Sequence, residues 1–314
     1  MASRRTSSID VLLLLMTIIW GTNYSIVKTA FQQIDAQAFN AVRMIIASLT
    51  FLAIIALARR LGPSGAFGSI FVTPAPITRR DWASLALLGL VDHAGYQYFF
   101  MGGLARTSVA NSSLMLAATP VLIAMISAAM GQERIARLHW FGAALSMLGI
   151  YLVVGHSARG EGATVTGDAM MFTAVVCWAI YTLGARHLMQ RHSPVGVTGL
   201  SMAIGSLLYV PLMTGNLLRT DWAAVNTGIW IALVYSALFA LCVAYTIWYM
   251  AVREIGSART SVYSNLVPIV AMLTAVVTLG ERLNGLRLVG AAAVLLGVAL
   301  TRVGKTAPLV PPQE

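Results

Sequence analysis

Asp92 and His93 stand side by side inside an apolar run, and Arg43 lies about five residues into another. These are the side chains best placed to do chemistry. A histidine titrates near physiological pH, and a neighbouring carboxylate can pass its proton on; the same pair can equally do no more than pack and hydrogen-bond between helices. A charge buried in an apolar span is costly, so Arg43 either snorkels outward, pairs with Asp92, or attracts a carboxylate from solution. Beyond His93, Tyr96, Gln97 and Phe100 continue one helical stripe, and Tyr235, Cys242, Tyr245 and Tyr249 form another. Nothing around them makes or breaks bonds. There is no His-Glu-x-x-His and no second aspartate at depth, and Ser64 of Gly62-Pro63-Ser64-Gly65 falls in a Pro-containing loop with no helix to hold it. The residue types are those of a binding site, and no enzyme, metal or cofactor is expected.

The elements that must position them are apolar helices. With 58% hydrophobic and 10% charged residues over 314, and a mean hydropathy of +0.78, the chain has too little polar surface to coat a soluble domain. Runs of about 20 apolar residues span a bilayer as helices, which satisfy their own backbone hydrogen bonds there. Ten such helices are expected, at roughly 9–28, 38–58, 82–101, 107–130, 138–155, 168–189, 195–214, 228–250, 257–279 and 286–303. Lys and Arg concentrate on one set of connections, including Arg4, Arg5, Arg59, Arg60, Arg79, Arg80, Arg253 and Lys305. That bias predicts both termini on the cytoplasmic side. It also accounts for the net charge of +10 without a nucleic-acid partner. Cys177 and Cys242 sit in apolar runs, as core packers do.

The chain is written twice. Pro120, Glu133-Arg134, Gly142 and Gly149 return as Pro268, Glu281-Arg282, Gly290 and Gly297, each shifted by 148, since 268 − 120 = 297 − 149 = 148. Trp20, Lys28 and Arg43 fall opposite Trp178, Arg186 and Ser201 with a shift of 158, as 178 − 20 = 201 − 43 = 158. Because Trp20 has a partner, the apolar run after Arg4-Arg5 reads as a first helix kept in the mature protein rather than a signal peptide. Each copy holds five helices, an odd number, so the second must enter the membrane from the opposite face. The expectation is an all-α membrane protein of two inverted five-helix repeats, 9–155 and 167–303, with a cytoplasmic loop at 59–81 and a tail at 304–314.

Polar groups in a membrane core turn inward. The expected lining of a shared cavity is Trp20, Asn23, Tyr24, His93, Tyr96, Gln97, Asn111, Ser112, Met115, Trp178, Tyr181, Tyr245, Tyr249 and Tyr263. Pro120 and Pro268 break their helices and are either bending points or rigid kinks. Glu133 and Glu281 are expected to cap the helix that follows each or to pair with a nearby Arg, with a gating pair as the alternative. Lys28 ends the first helix, where a cation complements the dipole. Gly142, Gly149, Gly290 and Gly297 present a thin face for close helix packing.

Trp20-Gly21-Thr22-Asn23-Tyr24 with Lys28 and Arg43, and the paired marks Pro120…Gly131-Gln132-Glu133-Arg134 and Pro268…Leu279-Gly280-Glu281-Arg282, resemble the EamA group of the drug/metabolite transporter superfamily. The resemblance covers about residues 9–303. It departs at Ala36, where the family often has a proline. It implies a ten-helix exporter of metabolites in the bacterial inner membrane, similar to bacterial amino-acid exporters, aromatic ones included. The implied partners are a small-molecule substrate, an amino acid foremost, and the lipid bilayer, with no obligate protein partner. Drugs or other amphipathic metabolites are the alternative cargo, and a non-transporting receptor or scaffold the alternative role.

Overall fold

The computed structural model of the chain describes residues 2–62, 68–73, 75–119, 121–122, 125–126, 133–134, 137–157, 164–255, 260, 263–282, 285–303 and 307–308. Among these residues the fold is helical almost throughout, with one two-residue antiparallel pairing of Glu133–Arg134 against Ala307–Pro308. The helices are α1 (Ala2–Ala30), α2 (Ala36–Leu61), the short α3 (Gly68–Phe71), and α4 (Arg79–Leu88), which continues through a π-helical stretch (Gly89–Tyr96) into α5 (Gln97–Arg106). Then come α6 (Val109–Ala117), α7 (Arg137–Ser157), α8 (Val165–Met189), α9 (Pro194–Leu212) and the short α10 (Thr214–Arg219). A second composite helix runs from α11 (Thr227–Tyr235) through a π stretch (Ser236–Val243) into α12 (Ala244–Ile255), and α13 (Val267–Leu279) and α14 (Gly285–Val303) follow.

Among the described residues, five helices are long and apolar enough to cross a bilayer: Ser8–Ala30, Ala36–Leu61, Val165–Met189, Pro194–Leu212 and Thr227–Glu254. Shorter apolar helices cover Trp140–Leu152, Val267–Leu279 and Leu288–Leu300. Their outward faces expose Leu49, Leu207, Leu148, Val277 and Leu288, the dressing of helices solvated by lipid. Starts are set by local chemistry. Asp35 accepts the Gln37 and Ala38 N–H groups to open α2, and Ser193 accepts that of Gly196 to open α9, with Pro194 in the first turn.

Helices of opposite copies run against one another. In α7 and α14 a Cβ added at Gly149 would stand 2.6 Å from Gly290 O, and one at Gly297 would stand 2.5 Å from Gly142 O. The first glycine of one helix therefore meets the second of the other, which only an antiparallel crossing allows. The pair α2 and α9 behaves likewise, with Phe51 and Ile55 against Gly199 and Met44 O accepting from Ser206 Oγ. Ser48 and Ser206, which correspond by the shift of 158, bond to each other at 2.8 Å. Ser146 bonds to its own counterpart, Val294 O, at 3.2 Å. A residue that touches its own copy lies on a two-fold axis, so these pairs trace that axis through the molecule.

At the end of the molecule that holds the 62–78 connection, Asp81 ties α4 to the α8–α9 turn. Its carboxylate accepts the Thr78 N–H (2.9 Å) and hydroxyl (2.8 Å), while Thr78 caps the helix in return. His192 Nε2 stands 3.2 Å away and Arg191 3.6 Å. The Thr78 backbone N–H first, then its hydroxyl, and then His192 and Arg191 hold the carboxyl down at about 2, against an ordinary value of 3.8. A depressed pKa means that this contribution is whole above the ordinary value and fades as pH falls toward the folded one. Asp81→Asn should therefore lower the melting midpoint at pH 7 and flatten its fall between pH 4 and pH 2, about the window set by the two values. Thermal melts of the detergent-solubilised protein across pH check this.

Candidate functional site

Four helices deliver aromatic rings to the axis. Trp20 of α1 meets its counterpart Trp178 of α8, with ring centroids 6.2 Å apart and edge to face. Tyr245 of α12 closes on both, 5.8 Å from Trp20 and 5.5 Å from Trp178. Trp248 adds a ring 5.7 Å from Trp20, and Tyr96 lies 5.4 Å from Trp178. Tyr181 and Tyr249 extend the group at 6.1 Å from each other, and Phe100 links Tyr96 to Tyr24. The edge-to-face geometry is the one aromatic quadrupoles favour.

The π-helical stretches are what aim the polar residues. A π turn inserts an extra residue into the α repeat and rotates the side chains that follow. Here it occurs in both copies, at Gly89 and Ser236, nearly the same repeat position (236 − 89 = 147). In the first copy Gly89 lies so close to α9 that an added Cβ would be 2.6 Å from Ser201 O. Gly205 packs on the His93 Cβ. This crossing brings His93 Nε2 to 3.2 Å from Ser201 Oγ and the His93 ring to 5.4 Å from that of Tyr181.

Two ionisable side chains, Arg43 and Asp92, sit here, both sealed from solvent. Arg43 is 2% exposed, and its Nε, Nη1 and Nη2 donate to Asn40 Oδ1 (3.1 Å), Ser236 Oγ (3.0 Å) and Gln97 Oε1 (2.5 Å). Neither snorkelling nor pairing with Asp92 occurs: side chains of α2 itself and of the two composite helices hold the guanidinium. Asp92 is 0% exposed and neither of its oxygens has a hydrogen-bond partner. His93 Nδ1 is 3.2 Å from Asp92 Oδ2, but adjacent residues on one helix do not align into a hydrogen bond. Elsewhere in the core Asn23 Oδ1, Tyr24 Oη, Ser112 Oγ and Trp248 Nε1 are also buried without hydrogen-bond partners. So many unsatisfied groups in one core are exceptional, since a buried polar atom is normally bonded.

The other expected lining residues fall as follows. Gln97 faces the site through Arg43, while Met115 packs in the main core. Asn111 is drawn to one end, where its Nδ2 donates to Thr107 Oγ1 (3.3 Å) and Asp168 Oδ1 (3.5 Å). Tyr263 is half-buried and its carbonyl accepts from Thr17. Asn40, Ser201 and Ser236 join the site unforeseen, and Trp248 joins it from the aromatic run it shares with Tyr245. Trp248 follows Tyr245 by three residues and Asn40 precedes Arg43 by three, spacings that mark a common helix face.

Two helix ends gain partners from elsewhere in the chain. The Glu281 oxygens accept the N–H groups of Val109 (2.7 Å) and Ala110 (3.2 Å) at the start of α6, in the other copy. Lys28 stands in the last turn of α1 and also closes the end of α5, donating to the carbonyls of Leu104, Ala105 and Thr107 at 2.6, 3.2 and 2.8 Å. Pro268 lies in the first turn of α13, just after the turn at 265–266, so it starts a helix after a break instead of bending a continuous one. Pro120 and the Glu133 side chain lie outside the described residues.

The sequence matches the EamA-like transporter family twice, over residues 7–155 and 165–303. It is 29% identical over 225 residues to the uncharacterized transporter YyaM of Bacillus subtilis, covering 70% of this chain and 73% of that one. It is 25% identical over 303 residues to a probable amino-acid metabolite efflux pump of Salmonella typhimurium, with 93% and 94% covered. A protein of that same description in Escherichia coli is 23% identical over 304 residues, with 94% of each covered. A crystal structure sharing 20% identity superposes with a TM-score of 0.65 over 94% of this chain and 97% of its own, which places the fold.

Proposed function

The chain belongs to the EamA-like transporter family and is a multi-pass membrane transporter, and from that premise we propose that it exports amino acids or closely similar metabolites across the inner membrane by alternating access. The observation that carries the proposal is the ring cluster on the two-fold axis, with its buried polar atoms left unbonded. Such a core is incomplete alone and is completed by a solute with an apolar body and a polar head. The efflux-pump description of the Salmonella and Escherichia relatives agrees in substrate class.

In this reading ten helices form two inverted copies, 9–155 and 167–303, with both termini cytoplasmic. The copies rock about the axis, and the break before Pro268 supplies a bending point. The antiparallel pairs α2–α9 and α7–α14 support the inversion. Single cysteines at Leu61, the last residue of α2, and Asn216 in α10, just beyond the end of α9, should label from opposite sides of right-side-out vesicles. Labelling of both from one side removes the inversion. Cys177 and Cys242, half-buried and buried, give the background.

The deciding experiment is counterflow in proteoliposomes, with labelled amino acids on one side and a panel of unlabelled ones on the other. No exchange of any amino acid ends the proposal. In the same vesicles an imposed pH gradient tests Asp92 and His93 as the proton-carrying pair: stimulation by the gradient should vanish in His93→Gln. A full rate in Pro268→Ala discards the bending point.

A further inference from the structure

The junction of α5 and α6, residues 104–111, is held by side chains from α1, from α8 and from the end of α13. The Lys28 ammonium of α1 donates its full complement of three hydrogen bonds to the Leu104, Ala105 and Thr107 carbonyls, where α5 ends and its last acceptors lack helical partners. Gly280 ends α13 in the left-handed conformation (φ 65°), and Glu281 follows directly. Its carboxylate takes the Val109 and Ala110 N–H groups, which lack helical partners at the start of α6. Asp168 of α8 accepts from the Thr107 hydroxyl at 2.6 Å and from the Asn111 amide at 3.5 Å. Thr164, which caps α8, donates its backbone N–H (2.9 Å) and its hydroxyl (3.2 Å) to Arg106 O.

These bonds cross between the copies. Lys28 and the junction belong to the first copy, whereas Asp168 and Glu281 belong to the second, so rocking one copy against the other must strain the bonds of Asp168 and Glu281. The junction is dry as it stands: Thr107 and Asn111 are 0% exposed. Its free N–H and C=O groups therefore depend on Glu281 and Lys28, because a buried backbone group without a partner is costly. Once this end opens, water can take over both roles. The two side chains thus favour the closed arrangement over the open one, and they also attract each other. The repeat writes the same parts again: Arg186 and Asp10 stand opposite Lys28 and Asp168 (186 − 28 = 168 − 10 = 158), and Glu133 opposite Glu281 (281 − 133 = 148). The Arg186 and Glu133 side chains lie outside the described residues.

Resting on the transport reading above, we propose that Lys28 and Glu281 form a latch on the α5–α6 junction, which holds the molecule closed at the end where α1 finishes and whose release opens the aromatic site toward that face. Lys28 lies eight residues beyond Trp20, about 12 Å along α1, so the latch stands between the rings and this end. Weakening it shifts the population toward the form open here and leaves the opposite end no more open than before.

The test uses the full chain in membrane vesicles, with Cys177 and Cys242 replaced by Ala and one reporter cysteine labelled by a membrane-impermeant maleimide from either face. Ser112→Cys reports one turn inside this end, on α6. Thr198→Cys reports one turn inside the opposite end, on α9, which starts beside Thr73. Glu281→Gln removes the charge and one of the two acceptors. It should speed labelling of the Ser112→Cys reporter about tenfold or more from the face where α1 ends, the shift expected for one lost charge-assisted hydrogen bond. The Thr198→Cys reporter should label no faster from the other face. Lys28→Gln should act in the same direction, and carries the test if Glu281→Gln does not fold. Equal acceleration of both reporters would mean that these residues only brace the helices, and overturns the latch; so does unchanged labelling in both variants. Counterflow of the unaltered chain in proteoliposomes keeps the two readings apart: its absence with every amino acid overturns the transport reading on which the latch rests, whatever the labelling.

Discussion

Gly149→Val should destabilise the protein by about 2–3 kcal/mol or more, and Leu148→Val, one residue away, should be nearly silent. The added Cβ meets Gly290 O at 2.6 Å and the Val294 backbone N at 2.7 Å, so α7 and α14 must separate to admit it. Backbone atoms cannot rotate aside as a flexible side chain would. In lipid the cost is not offset by a hydrophobic drive, because tails solvate the parted helices as well as each other; close packing of small residues is itself what holds them. Leu148 is 52% exposed and faces lipid. The melting midpoint by size-exclusion chromatography of heated samples reads both. A Gly149→Val protein as stable as its parent would mean that α7 and α14 do not cross there, and the antiparallel relation of the copies would lose its closest contact.

A close approach on this face was legible beforehand, though not which helix it meets, because the fold writes it into residue size. Gly142 and Gly149 sit seven apart on one face, recur 148 later, and small residues at that spacing have few uses besides close approach. The aromatic site was partly legible for the same reason: helical spacing grouped Tyr96 with His93, and Tyr249 with Tyr245. What could not be read are features set between helices. Whether Arg43 finds Asp92 or Gln97 depends on the rotation and register of α2 against two other helices, and no spacing within one segment states it. The π stretches belong here too, since nothing in the composition of Gly89–Tyr96 demands a wider turn; its press against Ser201 and Gly205 does. Glu281 was placed at the right kind of target, a helix N-terminus, but that it reaches the start of α6 could not be read. The chain after α13 returns over α6, and only the three-dimensional path reveals which free N–H groups it meets.

The second large effect is at Trp178. Its indole touches Trp20, Tyr96, Tyr181 and Tyr245, with ring centroids between 5.4 and 6.2 Å. Trp178→Ala empties the middle of this group, and burial lost together with a cavity of that size costs about 3–5 kcal/mol. Stability and transport should then fall together, which alone would not separate a wall of the site from a pillar of the fold. Trp178→Phe does separate them. It keeps an aromatic face and most of the buried area, so the melting midpoint should recover most of the loss. The apolar floor it offers a substrate is narrower, so counterflow with a bulky aromatic amino acid should stay depressed while a smaller apolar one recovers. Because Trp178 and Trp20 are each other's repeat counterparts and touch on the axis, the complementary change Trp20→Phe should produce the same substrate-dependent split. If both phenylalanine variants instead scale transport of every amino acid by one factor, the rings on the axis support the helices without meeting the cargo, and the binding site lies elsewhere in the core.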